Sequence, residues 1–353
     1  MAKTYTIRDV ARRAGVGIGT VSRVLNDSPS VSEETRQKVL AAIEELNYRP
    51  NVLARQLSSG GGMLSIGIIV PFFTRPAFVG RLEGIEHELA QTDYDLILYN
   101  VETPEQKHNL FRRVPSERRV DGLIIISLYP TDEDVAHFKR CNMPVVLVDA
   151  YHPDLPSITI DDEDGGRQAV QHLVSLGHQR IAFISDDVET PFGFRASAQR
   201  LRGYHQVLRE AGISPRPAYQ KHGQYGRQNA FYLMQELLDL PEPPTAIFST
   251  SDTQALGAME AIEKLGLRIP DDISVVGYDD IEVATYIGLT TIRQPFYQSG
   301  VEGVHLLMQV LEGMEGSAGS IRLPVSLVVR STTAPPRVGL PGRTHRPPER
   351  QQR

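Results

Sequence analysis

The sequence predicts an α/β protein in two unequal parts: an N-terminal three-helix headpiece of helix-turn-helix geometry, then a two-lobed body of doubly wound parallel sheets. Three observations predict it. Apolar residues recur at helical spacing in three short segments between residues 7 and 46. Beyond residue 64, apolar runs alternate with amphipathic stretches, as in parallel sheets covered by helices. Those runs fall in two series, which predicts two lobes.

In the headpiece, Ile7, Val10, Ala11 and Ala14 stand at i, i+3, i+4 and i+7, one face of a short helix that Gly15 stops. Val16 follows as a buried turn residue. A second helix begins near Ile18, behind Gly17 as N-cap, with Val21, Val24 and Leu25 as its inward stripe. Two short helices joined by a glycine-containing turn place the second where it can enter the major groove of DNA. Ser32 caps a third helix, with Glu33 and Glu34 in its first turn and Val39, Ile43 and Leu46 packing inward.

Between headpiece and body, residues 51–57 allow two helical turns, marginal alone in water, and the Ser-Ser-Gly-Gly-Gly run of 58–62 has linker composition. In the body, residues 66–70, 96–99, 123–127 and 145–149 read as buried strands, and 181–185, 246–250 and 274–278 form the second series. Residues 199–211 and 253–265 are amphipathic and read as helices. Ligands of such folds sit beyond the carboxyl ends of the strands. The residues that end each run are Phe72 and Phe73, Asp149, Asp186, Ser251 and Asp252, and Asp279 and Asp280.

The expected organisation is a headpiece over 1–50, a hinge helix and linker over 51–62, a ligand-binding body over 63–333 and a disordered Pro- and Arg-rich tail over 334–353. Charge follows this division. Residues 1–59 hold nine Lys/Arg against six Asp/Glu, and the tail holds five Arg against one Glu, so the net −6 leaves −13 on the segment between. A basic head on an acidic body suits a protein that meets nucleic acid through one small module. No apolar stretch is long enough for a bilayer and no secretory signal opens the chain, so a cytoplasmic protein without membrane contact is expected. The lone Cys141, beside Pro144 and an apolar run, reads as a packed thiol. No P-loop, G-x-S-x-G or H-E-x-x-H is present, Asp164-Gly165-Gly166 lacks dinucleotide-loop spacing, and Glu86-His87-Glu88 reads as helix surface. No enzyme, catalytic residue, cofactor or metal is therefore expected.

The segments Asp9-Val10-Ala11, Ala14-Gly15-Val16, Thr20-Val21-Ser22-Arg23-Val24-Leu25-Asn26, Val31-Ser32, Thr35-Arg36, Asn47-Tyr48-Arg49-Pro50-Asn51 and Ala54-Arg55 resemble the headpiece of the lactose repressor (LacI/GalR) family. The resemblance continues through Pro71-Phe72, Gly84-Ile85, Leu176-Gly177-His178, Gly203-Tyr204 and residues 272–280, over about nine-tenths of the chain. It implies a transcription regulator, most often a repressor, that binds a pseudo-palindromic operator as a homodimer. It also implies a sensor similar to periplasmic sugar-binding proteins, with an N-lobe of about 63–160 and 294–321 and a C-lobe of about 161–291 and 323–333.

Residue by residue, the resemblance puts Ile18, Gly19 and Arg23 at base edges and Thr20, Ser22 and Asn26 on phosphates, with Thr6, Asn51 and Ala54 among the DNA contacts. Arg23 carries the planar fork that suits guanine, Ile18 can offer only apolar contact, and Gly19 reads nothing directly. Gly17 departs from the usual Ser. Leu57 matches a leucine that wedges into the minor groove, or else merely anchors the linker. The effector contacts fall on Phe72, Asp149, Arg200, Tyr225, Ser251, Asp252 and Asp279. An arginine and several carboxylates suit vicinal hydroxyls, and an aromatic face suits a sugar ring, so a saccharide or sugar derivative is the expected effector. Ser251 replaces a frequent Asn, and Asp149 is followed by Ala150-Tyr151 where a more polar pair is usual. Asp279 and Asp280 could instead cap the next element, and Arg200 could pair with Asp186 or Asp187. The tail lacks leucine heptads, which points to a dimer.

Overall fold

The computed structural model describes residues 5–25, 28, 30–46, 48, 64–187, 192–313 and 319–337. The chain forms two units, Met1–Leu64 and Ser65–Arg353. Among the described residues no helix is long and apolar enough to cross a membrane.

The first unit holds α1 (Ile7–Ala14), α2 (Ile18–Leu25) and α3 (Glu33–Glu45). Gly15 ends α1 at φ 68°, the left-handed conformation that glycine adopts without a Cβ penalty. Ser32 caps α3 by accepting the Thr35 amide. Val10, Ala11, Val21, Val24, Val39 and Ala42 form the buried centre, each at a position where the helical period brings it inward.

The second unit is built on two six-stranded sheets. One contains β1 (Ser65–Pro71), β2 (Asp95–Val101), β3 (Gly122–Ile126), β4 (Val145–Val148), β5 (Ser157–Ile160) and β11 (Ser320–Leu323), all parallel, in the order β11-β5-β4-β3-β1-β2. The other contains β6 (Ile181–Asp186), β7 (Gln220–Gly223), β8 (Ala246–Ser249), β9 (Ser274–Asp279), β10 (Thr290–Arg293) and β12 (Ser326–Val328), in the order β12-β10-β9-β8-β6-β7, with only β12 antiparallel. The chain passes between the sheets after β5, β10 and β11. The strands expected from long apolar runs are all present. Short strands at the sheet margins, such as β7 and β12, carry too little apolar pattern to be read in advance, whereas the lobe boundary that the resemblance implies near 321–323 falls on β11.

Both faces of each sheet are covered, so alternate residues of one strand enter different cores. In β1, Ile66 and Ile68 pack with α4 (Pro76–Leu89) and α12 (Phe296–Leu311), while Ile69 faces α5 (Pro104–Glu117) and α6 (Asp132–Arg140). In the other sheet, Ile184 and Ile247 face α9 (Arg227–Leu238) and α10 (Asp252–Lys264), while Phe183 and Phe248 face α7 (Asp162–Ser175) and α8 (Ala196–Glu210).

The paired helices approach closely through glycine. A Cβ added to Gly84 of α4 would stand 2.1 Å from the Tyr297 carbonyl oxygen of α12, and one on Gly166 of α7 would stand 2.4 Å from the Arg200 carbonyl oxygen of α8. In an open helix interior, Gly→Ala gains about 1 kcal/mol from propensity. Here the neighbour is backbone and cannot swing aside. Gly84→Ala is expected to destabilise the second unit by about 1–3 kcal/mol, the usual range for overpacking, read as a lowered midpoint in urea without a change in slope.

The tail differs from expectation at its start. At Ala334, where the sequence predicts disorder to begin, the amide donates to Ser274 Oγ (3.1 Å), and the carbonyl lies 2.9 Å from His178 Nε2 and accepts from Ser274 Oγ (3.0 Å). Arg337 pairs with Asp271 and Asp272 at 3.3 Å each. The buried His178 and Ser274 need partners, and the segment following β12 supplies them. Residues 338–353 lie outside the described residues.

Candidate functional site

On the headpiece, the burial of Val21 and Val24 turns the opposite face of α2 outward. Ile18 is 45% exposed, Gly19 and Arg23 are exposed, and Thr20 and Ser22 are half-buried. Among the described residues no ion pair engages the Arg23 guanidinium, so its fork is open for a base edge or phosphate. Gly17 occupies the N-cap position of α2, its carbonyl accepting the Thr20 and Val21 amides. Thr6 caps α1, and its amide and hydroxyl both donate to Asp9 (2.9 and 2.7 Å). Asn26, Asn51, Ala54 and Leu57 lie outside the described residues.

In the second unit, a cleft with about 110 Å³ of free space opens beyond the carboxyl ends of strands from both sheets. Several turns there leave ordinary backbone geometry: Phe72, Ser127, Asp149, Asp279 and Asp280 all have positive φ (43°, 53°, 58°, 120° and 58°). Such strain persists where the surroundings enforce it, and Ser127, Asp149 and Asp279 bring it to the cleft lining.

A chain of polar contacts crosses the cleft floor. The Ser127 hydroxyl donates to Asp149 (2.6 Å), and Asp149 pairs with the buried Arg81 (3.0 Å). Arg81 also donates to Gln294 Oε1 (3.4 Å), whose amide nitrogen donates to Asp279 (2.7 Å). Beside this chain, Arg200 donates to Asp162 through Nε (2.8 Å) and to the Thr250 carbonyl through Nη1 (2.6 Å), and its guanidinium lies 3.7 Å from the centre of the Tyr278 ring. Tyr278 donates its hydroxyl to the same Asp162 (3.1 Å). Burial pushes the Asp162 carboxyl above its ordinary range despite Arg200, and burial likewise raises Asp279, to about 7, against the pull of Arg200 and Gln294. Burial opposes the charge on Arg200, yet attraction to Asp162 prevails and holds it firmly protonated.

Of the seven expected effector contacts, Asp149, Arg200, Tyr225, Ser251 and Asp279 line this cleft. Two do not. Asp252 is fully buried and turned inward, accepting from Thr291 Oγ1 (2.5 Å) and the Ile281 amide (2.9 Å), a course left open by Gly277, where a Cβ would stand 2.2 Å from the Asp252 carboxylate. Phe72 lies behind the cleft wall, its ring edge-on to Phe192 at 5.4 Å and covered by the Arg75 guanidinium at 4.0 Å. The partner of Arg200 is Asp162, neither Asp186 nor Asp187. Asp280 is tied to Arg293 and Arg330 (2.7 and 2.6 Å), a structural role. The cleft also holds residues that were not anticipated: Arg75, Arg81, Tyr129, Asp162 and Arg195. Asp162 is within reach of the strand-end rule, since it stands two residues after the end of β5. The free space is smaller than the ~150 Å³ of an apolar cavity that admits benzene, so a saccharide requires the walls to part or the arginines to swing.

A helix-turn-helix unit joined to a two-sheet unit with a charged interlobe cleft defines a ligand-responsive DNA-binding regulator. Residues 6–51 match the bacterial regulatory proteins of the lacI family, and residues 170–333 match the periplasmic binding protein-like domain. Catabolite control protein A of Priestia megaterium is 35% identical over 332 residues, covering 93% of this chain and 99% of that protein. The lac repressor dimer bound to operator and the anti-inducer ONPF superposes with a TM-score of 0.80 at 37% identity, over 94% of this chain and 100% of that one. The transcriptional regulator CelR in complex with cellobiose gives 0.68 at 30% identity, over 93% and 99%. The chain belongs to the LacI family of transcription regulators, and its relatives are regulators, not enzymes.

Proposed function

We propose that the protein is a homodimeric repressor acting at the nucleoid, and that a saccharide or sugar derivative held between its lobes sets its affinity for a pseudo-palindromic operator. The observation that carries this reading is the cleft: donors and acceptors from the strand ends of both sheets converge there, so that a ligand touching both favours one lobe arrangement. Asp149, Arg200, Tyr225, Ser251 and Asp279 contact the effector. Arg23 and Ile18 read bases beside Gly19, Thr20, Ser22 and Asn26 hold phosphates with Thr6, and Asn51, Ala54 and Leu57 belong to a hinge over the minor groove.

A thermal-shift series of sugars and sugar phosphates on the whole chain tests the effector, with each hit added to an operator titration. A hit that raises the melting midpoint and changes operator affinity supports the reading; stabilisation without any change in operator affinity contradicts the coupling. On the DNA side, Arg23→Ala is expected to weaken operator binding by about 1–3 kcal/mol and to relax preference at one base pair per half-site. Thr20→Ala should weaken all sequences alike. Titrations against operators substituted one base at a time separate the two, and a uniform loss for Arg23→Ala would reassign it to the phosphates.

A further inference from the structure

Four arginines line the cleft, and they divide into two kinds. Arg81 and Arg200 are each committed to a carboxylate, Asp149 and Asp162. Among the described residues, Arg75 and Arg195 make no ion pair. Arg75 enters from the first sheet's side and is stacked between the rings of Phe72 (4.0 Å) and Tyr225 (4.2 Å), and Arg195 lies over Tyr129 (4.5 Å). Stacking engages the guanidinium faces and leaves the N–H edges for an in-plane acceptor.

Their positions sharpen the point. Arg75 is the N-cap of the 14-residue α4 and Arg195 the N-cap of the 15-residue α8, and neither helix has a side-chain cap. Ser, Thr, Asp or Asn belongs at such a position, where a helix presents partial positive charge and free N–H groups; in α4 the charge is the larger part, since Pro76 has no N–H and the Phe78 amide donates to the Arg75 carbonyl (2.9 Å). An arginine there adds cation to cation, an arrangement that a bound anion relieves. Burial pulls the pKa of Arg75 down, and Tyr225, followed by Asp186 beyond ion-pair distance, offsets this only in part.

A second, separate observation points the same way. Two buried side chains of the cleft lining carry donors without partners: Arg81, 2% exposed, at Nε, and Gln254, 1% exposed, at Nε2. Unsatisfied buried donors call for an acceptor-rich ligand. The remaining carboxylates set the rest of its character. Asp186, which accepts the Ser197 hydroxyl, and Asp187 and Asp279 stand at the same cleft and need hydroxyl donors.

Resting on the effector-site reading above, we propose that the effector is an anionic saccharide, a sugar acid or sugar phosphate, whose oxyanion is received by Arg75 and Arg195 while its hydroxyls meet the cleft carboxylates. Arg75 and Arg195 are then the residues that set specificity for anionic over neutral sugars.

The test is calorimetric titration of the full chain with glucuronate, gluconate, and the phosphate monoesters of glucose and fructose, against glucose and inorganic phosphate. At least one sugar anion should bind, more weakly as salt is raised, with glucose and inorganic phosphate far weaker; whether the carboxylates or the phosphates win identifies the oxyanion. Arg75→Gln and Arg195→Gln should each weaken that binding by about ten- to a hundredfold, the loss of a charge-assisted contact, and Arg75→Lys should keep part of it. Glucose binding as tightly as its acid and phosphate, or a sugar anion indifferent to both arginine substitutions, overturns the proposal and leaves the cleft as a neutral-sugar site if Asp279→Asn still abolishes binding. Failure of every sugar to bind overturns the proposal and the saccharide reading together.

Discussion

Arg200→Ala is expected to lower the stability of the second unit by about 3–5 kcal/mol at neutral pH and to abolish effector binding. Arg200 is 8% exposed and Asp162 4%, so both charges are out of water and each relies on the other. Removing the guanidinium leaves Asp162 with the Tyr278 hydroxyl as its remaining donor and unpairs the Thr250 carbonyl. The carboxyl responds by taking a proton. Its pKa is already raised by burial and would rise further, so the variant's stability should fall more steeply as pH increases from the ordinary carboxylate range through the new pKa. Urea unfolding at about pH 5 and about pH 7 should therefore show a small deficit at the first and the full one at the second. A double variant, Arg200→Met with Asp162→Leu, should recover much of the stability and none of the binding, because apolar replacement of a buried pair is often neutral or better. A deficit below about 1 kcal/mol and flat with pH would mean that water, not Arg200, compensates Asp162.

How legible this was in the sequence depended on what kind of signal each residue left. Val10, Val21 and Ile85 announce their elements because burial of one helix face enforces a period, and the central strands because burial on both faces enforces an apolar run. Asp149, Ser251 and Asp279 are legible by the rule that ligands meet strand ends. Asp252 obeys the same rule and fails it, because one residue further round the first turn of α10 its side chain points to Thr291 and the sheet. Arg81 carried an overlooked signal. It stands three residues after Phe78 and four before Ile85, inside the buried stripe of α4, where a charged residue demands a partner. Arg75 and Arg195 left none, since their significance lies in occupying N-cap positions of helices whose starts fall beside each other only in the folded chain.

The second large effect is a dependence on pH that belongs to Asp279. Its carboxyl, 6% exposed, is pushed to about 7 chiefly by burial, with Arg200 and Gln294 pulling the other way. The folded state thus holds a proton that the unfolded chain releases near 4, so the contribution of this group to stability is full below that pH and is lost as pH rises through about 7. Each pH unit between those limits is worth about 1.4 kcal/mol, so the decline amounts to a few kcal/mol. Asp252 and Asp162 are shifted in the same direction, so the wild-type slope is shared and the variant must be compared with it. Asp279→Asn keeps an oxygen for the Gln294 amide and tolerates φ 120° at least as well, while removing the charge. The variant should match the wild type near pH 4, exceed its stability by up to that amount at about pH 8, and bind effector poorly at both. A gain in stability coupled to a loss of binding is what separates a carboxylate retained for a ligand from one retained to cap the turn into α11 (Glu282–Tyr286), for which Asn would be neutral in both respects. Equal stability of the two proteins at about pH 8 would assign Asp279 to the turn, and the acceptor for the effector's hydroxyls would then have to be sought at Asp186 and Asp187.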